Sequence, residues 1–236
     1  MLGLPDSVRG CLFDLDGVLT KTAQVHDAAW KQMFDEFLRQ RAETTGQAFV
    51  PFDPVADYDD YVDGKPRDDG TRSFLASRGI ELPDTEIMTL GDRKNDIVQR
   101  MIKEHGVQTY EGSVRYVRQV RQAGLPRAVV SSSKNCAQVL AAAGIADLFD
   151  ERIDGVVAER EHLKGKPAAD TYLAGARALS LDPNAASVFE DALAGVDAGQ
   201  AGGFAFVVGV DRVGQADALR EHGADVVVRD LSELLR

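Results

Sequence analysis

The chain has 236 residues, 44% of them hydrophobic and 28% charged, with a formal net charge of −11 at pH 7. That profile fits one large or two small globular domains with a real core, and excludes a disordered or fibrous chain. An acidic chain with no run of basic residues is expected to bind neither nucleic acid nor an anionic membrane; no stretch approaches the ~20 apolar residues of a membrane span, and the start, MLGLPDSVRG, has no secretory-signal pattern.

Residues 8–13 read as a short buried strand. The next 85 or so residues, roughly 21–105, have a different texture. An amphipathic helix is predicted over 25–38, with Val25, Ala28, Ala29, Met33, Phe34 and Phe37 near one face. A polar and then Pro/Asp-rich stretch follows, and further helices are predicted over 71–78 and 96–105; no strand pattern is present there. Beyond 107, helices over 113–123, 135–143, 168–178, 192–201 and 215–221 alternate with apolar strands over 125–133, 186–191, 204–210 and 224–228. Continuously apolar strands between helices imply an α/β fold, a doubly wound parallel sheet covered on both faces. The core is expected to comprise residues 1–20 and 107–236, with 21–106 as a helical insertion after the first strand.

Cys11 and Cys136 are the only cysteines and have no CxxC spacing. They are expected to be buried free thiols in a reducing, cytoplasmic setting, which excludes a cysteine-ligated zinc site. Gly195 and Gly199 have GxxxG spacing outside any long apolar segment, so close helix–sheet packing explains them.

The first strand runs into Asp14-Leu15-Asp16-Gly17-Val18. Ligands of open α/β sheets bind beyond the carboxyl ends of the strands. Asp and Gly are also ordinary turn residues. An EF-hand loop does not fit, because Val18 and Val25 stand where oxygen ligands belong. A second acidic pair, Glu190-Asp191, ends the strand over 186–191 and falls on the same sheet edge. Carboxylates crowded at one edge repel unless a cation neutralises them, and hard oxygen ligands point to Mg²⁺. Ser131-Ser132-Ser133-Lys134-Asn135 lies where a strand passes into a helix, and Lys166-Pro167 opens another helix. Serine at a helix N-cap and a solvated lysine are common structural features. Together with the carboxylates, these hydroxyl and cationic donors form the inventory that phosphoryl transfer requires.

In order and spacing, DLDGV, SSS, GKP and ED resemble the four motifs of the haloacid dehalogenase superfamily, over nearly the whole chain. The helical insertion resembles that superfamily's C1-type cap. Phe13 through Val18, followed by Thr20, Thr22, Ala23, His26, Ala29 and Trp30, is similar more closely to the β-phosphoglucomutase family. The resemblance implies that Asp14 is the nucleophile and Asp16 the general acid and base. It implies a Mg²⁺ site of Asp14, the Asp16 backbone carbonyl, Glu190 and Asp191. Ser131 and Lys166 would hold the transferred phosphoryl group. Ser133, Lys134 and Asn135 also match the family, and Thr22 and His26 would place Asp16 as the cap closes. In the insertion, Arg67 resembles the arginine that grips the distal phosphate, and Lys94 and Asn95 resemble residues facing the sugar phosphate. Lys21 and Gly70 depart from the family pattern, and residues 39–60 do not align with it. Trp30 reads as a packing residue. The implied reaction converts β-D-glucose 1-phosphate into glucose 6-phosphate through an aspartyl-phosphate and glucose 1,6-bisphosphate. A Mg²⁺-dependent sugar-phosphate phosphatase is the alternative, and a non-catalytic phosphosugar-binding module a third. The only partner expected is a small sugar phosphate, bound by a monomer.

Overall fold

The structure, a computed structural model, describes residues 2–235. The chain divides into two compact units. One holds the chain up to Lys21, the segment Gly64–Pro66 and everything described from Val107 onward; the other holds Thr22–Asp63 and Arg67–Gly106.

The smaller unit is helical, with α1 (Ala23–Thr45), a short π-turn (Tyr58–Val62), α2 (Arg67–Ser77) and α3 (Asp84–His105). Helix α1 runs seven residues past the predicted 38, because Arg39–Glu43 are good helix formers without apolar periodicity to announce them. Helix α3 begins twelve residues before the predicted 96, and buries Ile87 and Leu90 in its first half. The core of this unit is aromatic: Phe34 stacks on Trp30 at 5.2 Å and on Phe52 at 5.3 Å, and meets Phe74 at 4.2 Å. Trp30 is thus a packing residue, as expected. Phe52 comes from the Pro/Asp-rich stretch that carries no predicted element. Its amide donates to the Asp35 carboxylate at 2.8 Å, and Lys31 bridges Asp35 to the Phe52 carbonyl.

The larger unit is a six-stranded sheet. Its strands are β1 (Gly10–Phe13), β2 (Arg127–Val130), β3 (Glu151–Ile153), β4 (Ala186–Glu190), β5 (Phe206–Val210) and β6 (Val226–Val228). They run in the order β3-β2-β1-β4-β5-β6, and every pair is parallel. The helices are α4 (Glu111–Gln122), α5 (Cys136–Ala142), α6 (Gly155–Arg160), α7 (Asp170–Ala178), α8 (Leu193–Ala201) and α9 (Ala216–Glu221). Strand β3 and helix α6 lack a sequence signal: β3 is three residues long with two exposed, and α6 buries nothing. What starts α6 is the Asp154 carboxylate, which accepts from the Val156 and Val157 amides at 3.0 Å each.

Side chains alternate across the sheet. Phe13 takes one face, stacked on Phe189 at 4.3 Å with Tyr116 of α4 edge-on at 6.3 Å. Leu12 and Val188 take the other, in a cluster with Val130, Tyr172 and Val196. Helix α8 lies close on the sheet, since a Cβ on Gly199 would meet Val207 at 3.1 Å. Cys11 and Cys136 are free and buried. Burial pushes the Cys11 thiol up to about 12 and Cys136 well above its ordinary value. Among the described residues, no helix is long and apolar enough to cross a membrane.

The aromatic cluster sets the stability of the smaller unit. Phe34→Ala is expected to cost about 3–5 kcal/mol through lost burial and a residual cavity, measured by urea denaturation.

Candidate active site

Sheet register assembles the site. Phe13 pairs with Phe189 of β4 and with Val129 of β2. Asp14, one residue on, therefore stands level with Glu190 and one residue short of Ser131. By the two-residue period, Asp14 and Glu190 share the face of Leu12 and Val188, the face that α7 covers. Lys166, just ahead of α7, reaches both carboxylates there, and Tyr172, on α7, reaches Glu190. Lys166 Nζ donates to Asp14 Oδ1 at 2.5 Å and to Glu190 Oε1, and Tyr172 donates its hydroxyl to the same Glu190 oxygen at 2.8 Å. The second Glu190 oxygen accepts from the Asp191 and Ala192 amides at 3.1 and 3.2 Å. A Cβ on Gly195 would fall 1.9 Å from this carboxylate, so α8 approaches it only because position 195 has no side chain.

The electrostatics follow from burial. Asp14 and Lys166 are 6% and 3% exposed, and Glu190 is fully buried. Burial pushes the Asp14 carboxyl well above the usual carboxylate range; Lys166 opposes this, while Glu190 and Asp16 add to it. Burial on its own disfavours the Lys166 ammonium, but Asp14 and Glu190 outweigh it and hold the group above its ordinary value. Burial, with Glu190 beside it, raises the Tyr172 hydroxyl, so it remains a donor. Oxygens of Asp14, Glu190 and Asp191 lie within 4.8 Å of one another. Three carboxylates with one ammonium in contact are a donor set that fits a hard divalent cation.

Asp16 is outside that triad of carboxylates, and its Oδ2 accepts from Ser131 Oγ at 3.3 Å. The turn after it is tight: Gly17 N donates to Thr20 O at 2.8 Å, with Gly17 at φ +90°. A Cβ there would sit 1.6 Å from Asp191 Oδ2, so the turn tolerates only glycine. Ser131 Oγ also accepts from the Ser133 amide, and Ser133 Oγ from the Asn135 amide, both at 3.1 Å. Lys134 instead pairs with Glu159 at 3.0 Å on the surface. Ser132 Oγ donates to the Gly64 carbonyl at 2.7 Å.

Thr22, His26, Arg67, Lys94 and Asn95 belong to the smaller unit. Lys94 is 5% exposed; its ammonium is 2.6 Å from His26 Nδ1 and 4.7 Å from the Trp30 ring centre. An ammonium only donates, so in this contact His26 Nδ1 is the acceptor. Thr22 is buried at the start of α1, where its carbonyl accepts from the His26 amide at 2.9 Å. Arg67 opens α2 instead of lying in a loop, and donates from Nη1 to the Gly91 carbonyl at 3.0 Å, with Asp92 at 3.5 Å. Asn95 lies half-buried on α3.

Sequence reading missed Tyr172, a lone tyrosine in a helix otherwise rich in small residues, and Gln215, whose amide holds the Asp191 carbonyl at 3.0 Å. Each acts through a partner distant in sequence and leaves no local pattern.

A family model described as haloacid dehalogenase-like hydrolase matches residues 8–203. The chain is 56% identical to a β-phosphoglucomutase of Mycobacterium tuberculosis, over 100% of this chain and 94% of that protein. The chain belongs to the β-phosphoglucomutase-like family of the haloacid dehalogenase superfamily. A Bacillus subtilis member of that family, also named β-phosphoglucomutase, is 32% identical over 96% of this chain and 92% of its own. The crystal structure of a Clostridium difficile member superposes with a TM-score of 0.77 at 26% identity, covering 97% of this chain and 93% of that one. The family's doubly wound α/β core is thus the fold described above.

Lys166→Met would leave the buried carboxylates of Asp14 and Glu190 without their ammonium. A loss of about 3–5 kcal/mol near neutral pH is expected. The penalty should shrink as the pH falls through the raised Asp14 value, because protonation removes the uncompensated charge. Denaturant titrations at neutral and acidic pH check both the size and the sign.

Proposed function

We propose that this protein is a Mg²⁺-dependent β-phosphoglucomutase, converting β-D-glucose 1-phosphate into glucose 6-phosphate through an aspartyl-phosphate and β-glucose 1,6-bisphosphate. The observation that carries the reading is the pair of acids at the end of β1: Asp14 buried against Lys166 and Glu190, and Asp16 two residues on, whose carboxylate accepts from the Ser131 hydroxyl. On this reading one carboxylate attacks and the other transfers the proton. Full-length similarity to two proteins named β-phosphoglucomutase supports a mutase over a simple phosphatase.

Asp14, Glu190, Asp191 and the Asp16 backbone carbonyl would hold Mg²⁺, which supplies charge neutralisation for the transferring phosphoryl group. Asp14 attacks phosphorus. Asp16 protonates the departing sugar oxygen in one half-reaction, and in the other takes the proton from the attacking hydroxyl. Lys166 and Ser131 bind phosphoryl oxygens. The helical unit serves as the cap. Its Arg67, anchored at Gly91, keeps enough of its five-donor fork to bind the phosphate that is not being transferred. By the family resemblance, Lys94 and Asn95 would serve the sugar phosphate, and Thr22 and His26 would help place Asp16.

Incubation with β-glucose 1-phosphate, a trace of glucose 1,6-bisphosphate and Mg²⁺ should yield glucose 6-phosphate by phosphorus NMR. Chelation should abolish this, and Asp14→Asn should form no phosphoenzyme. Release of free phosphate alone would establish a phosphatase instead.

Arg67→Ala tests the cap assignment. Loss of charge-assisted bonds to the distal phosphate should weaken bisphosphate binding by about 1.5–3 kcal/mol, roughly ten- to a hundredfold. The ratio of glucose 6-phosphate to free phosphate should fall, since water attacking the aspartyl-phosphate brings no distal phosphate. A surface arginine paired only with Asp92 would leave the ratio unchanged.

A further inference from the structure

Strand β5 is two places from β1 in the sheet, with β4 between them. Adjacent strands lie about 4.8 Å apart, so the loop after β5 touches the loop after β1 only through a long side chain. Arg212 spans that gap. Its Nε donates to the Gly17 carbonyl at 2.7 Å, and Nη2 to the Val18 carbonyl and Ser113 Oγ at 3.2 Å each. Its Nη1 donates to the Arg229 carbonyl at 2.6 Å. The guanidinium carbon stands over the Tyr110 ring, 3.5 Å from its centre, and the Arg212 side chain is 13% exposed. Among the described residues, the carboxylate within ion-pair range of this side chain is Asp230, at 3.9 Å. A guanidinium that spends its fork on neutral main-chain carbonyls is not explained by ion pairing.

Two of the three carbonyls it holds belong to the two residues that follow Asp16. The same turn is closed on its other side by the Gly17–Thr20 bond and by Asp191 against the Gly17 α-carbon. We propose that Arg212 is a positioning residue for the β1 loop, fixing the Gly17 and Val18 peptides so that the Asp16 carboxyl stands where it exchanges a proton with the sugar oxygen. This rests on the phosphoryl-transfer reading above.

The chemistry separates positioning of Asp16 from general support of the fold. When glucose 1,6-bisphosphate phosphorylates Asp14, the bond from phosphorus to the sugar oxygen breaks as the bond to the Asp14 oxygen forms, and the proton of Asp16 goes to the sugar oxygen. When acetyl phosphate is the donor, the same bond to Asp14 forms but acetate leaves as the anion and takes no proton. Misplacement of Asp16 therefore slows the first reaction and spares the second.

The test is rapid-quench measurement of Asp14 phosphorylation, read as phosphoprotein mass, from each donor in the wild type, Arg212→Met and Arg212→Lys. The sugar-to-acetyl rate ratio should fall about tenfold or more in Arg212→Met, within the range that misplaced acid–base groups cost. It should fall less in Arg212→Lys, which keeps charge and length but loses the planar fork. Rates that drop equally with both donors, or a wild-type ratio in the variants, overturn the proposal; if Arg212→Met does not fold, the ratio in Arg212→Lys decides. If the wild type accepts phosphate from acetyl phosphate and not from the bisphosphate, the sugar-phosphate reading fails and takes this proposal with it. A wild type that uses both donors with unaltered ratios in the variants removes Arg212 alone.

Discussion

The ammonium of Lys166, buried between Asp14 and Glu190, is the contact on which the site depends. Removing three charged groups from water is costly, and their attraction offsets that cost only where every remaining donor and acceptor is satisfied. Glu190 meets the condition fully, each of its oxygens accepting from two donors. Asp14 has less support, so its carboxylate keeps lone-pair capacity for an incoming group. The asymmetry leaves two buried acids on adjacent strands with unequal hydrogen-bond saturation, Glu190 fully held and Asp14 less so.

Placement of these acids is a property of the sheet. A one-residue slip between β1 and β4 would turn Asp14 to the Phe13 face and away from Lys166. The register is held by the parallel ladder and by Phe13 stacked on Phe189, directly below the acids. Aromatic packing on one face thus aligns carboxylates on the other.

Much of this arrangement could be read from the sequence because it is written locally. The apolar runs announce β1, β2, β4, β5 and β6, and Asp14, Asp16, Ser131, Lys166, Glu190 and Asp191 all sit at strand or helix ends next to such runs. What escaped depends on partners far along the chain. Strand β3 is too short and too exposed to carry a period, and the first half of α3 packs through Ile87 and Leu90 without a regular stripe. Tyr172, Arg212 and Gln215 act on residues 18, 195 and 24 positions away, and no spacing rule connects them. Phe52 lies in a segment that looks like an open loop, yet the Asp35 carboxylate and two aromatic rings, Phe34 and Phe74, hold it at the centre of the helical unit.

Both native thiols are sealed in the larger unit and held as uncharged, poorly nucleophilic groups. The folded protein is therefore silent toward thiol-directed reagents. A cysteine introduced at an exposed position such as Arg118 on α4 would be its sole labelling handle. Spectroscopic probes can accordingly be attached one at a time to the native chain, without first replacing Cys11 or Cys136.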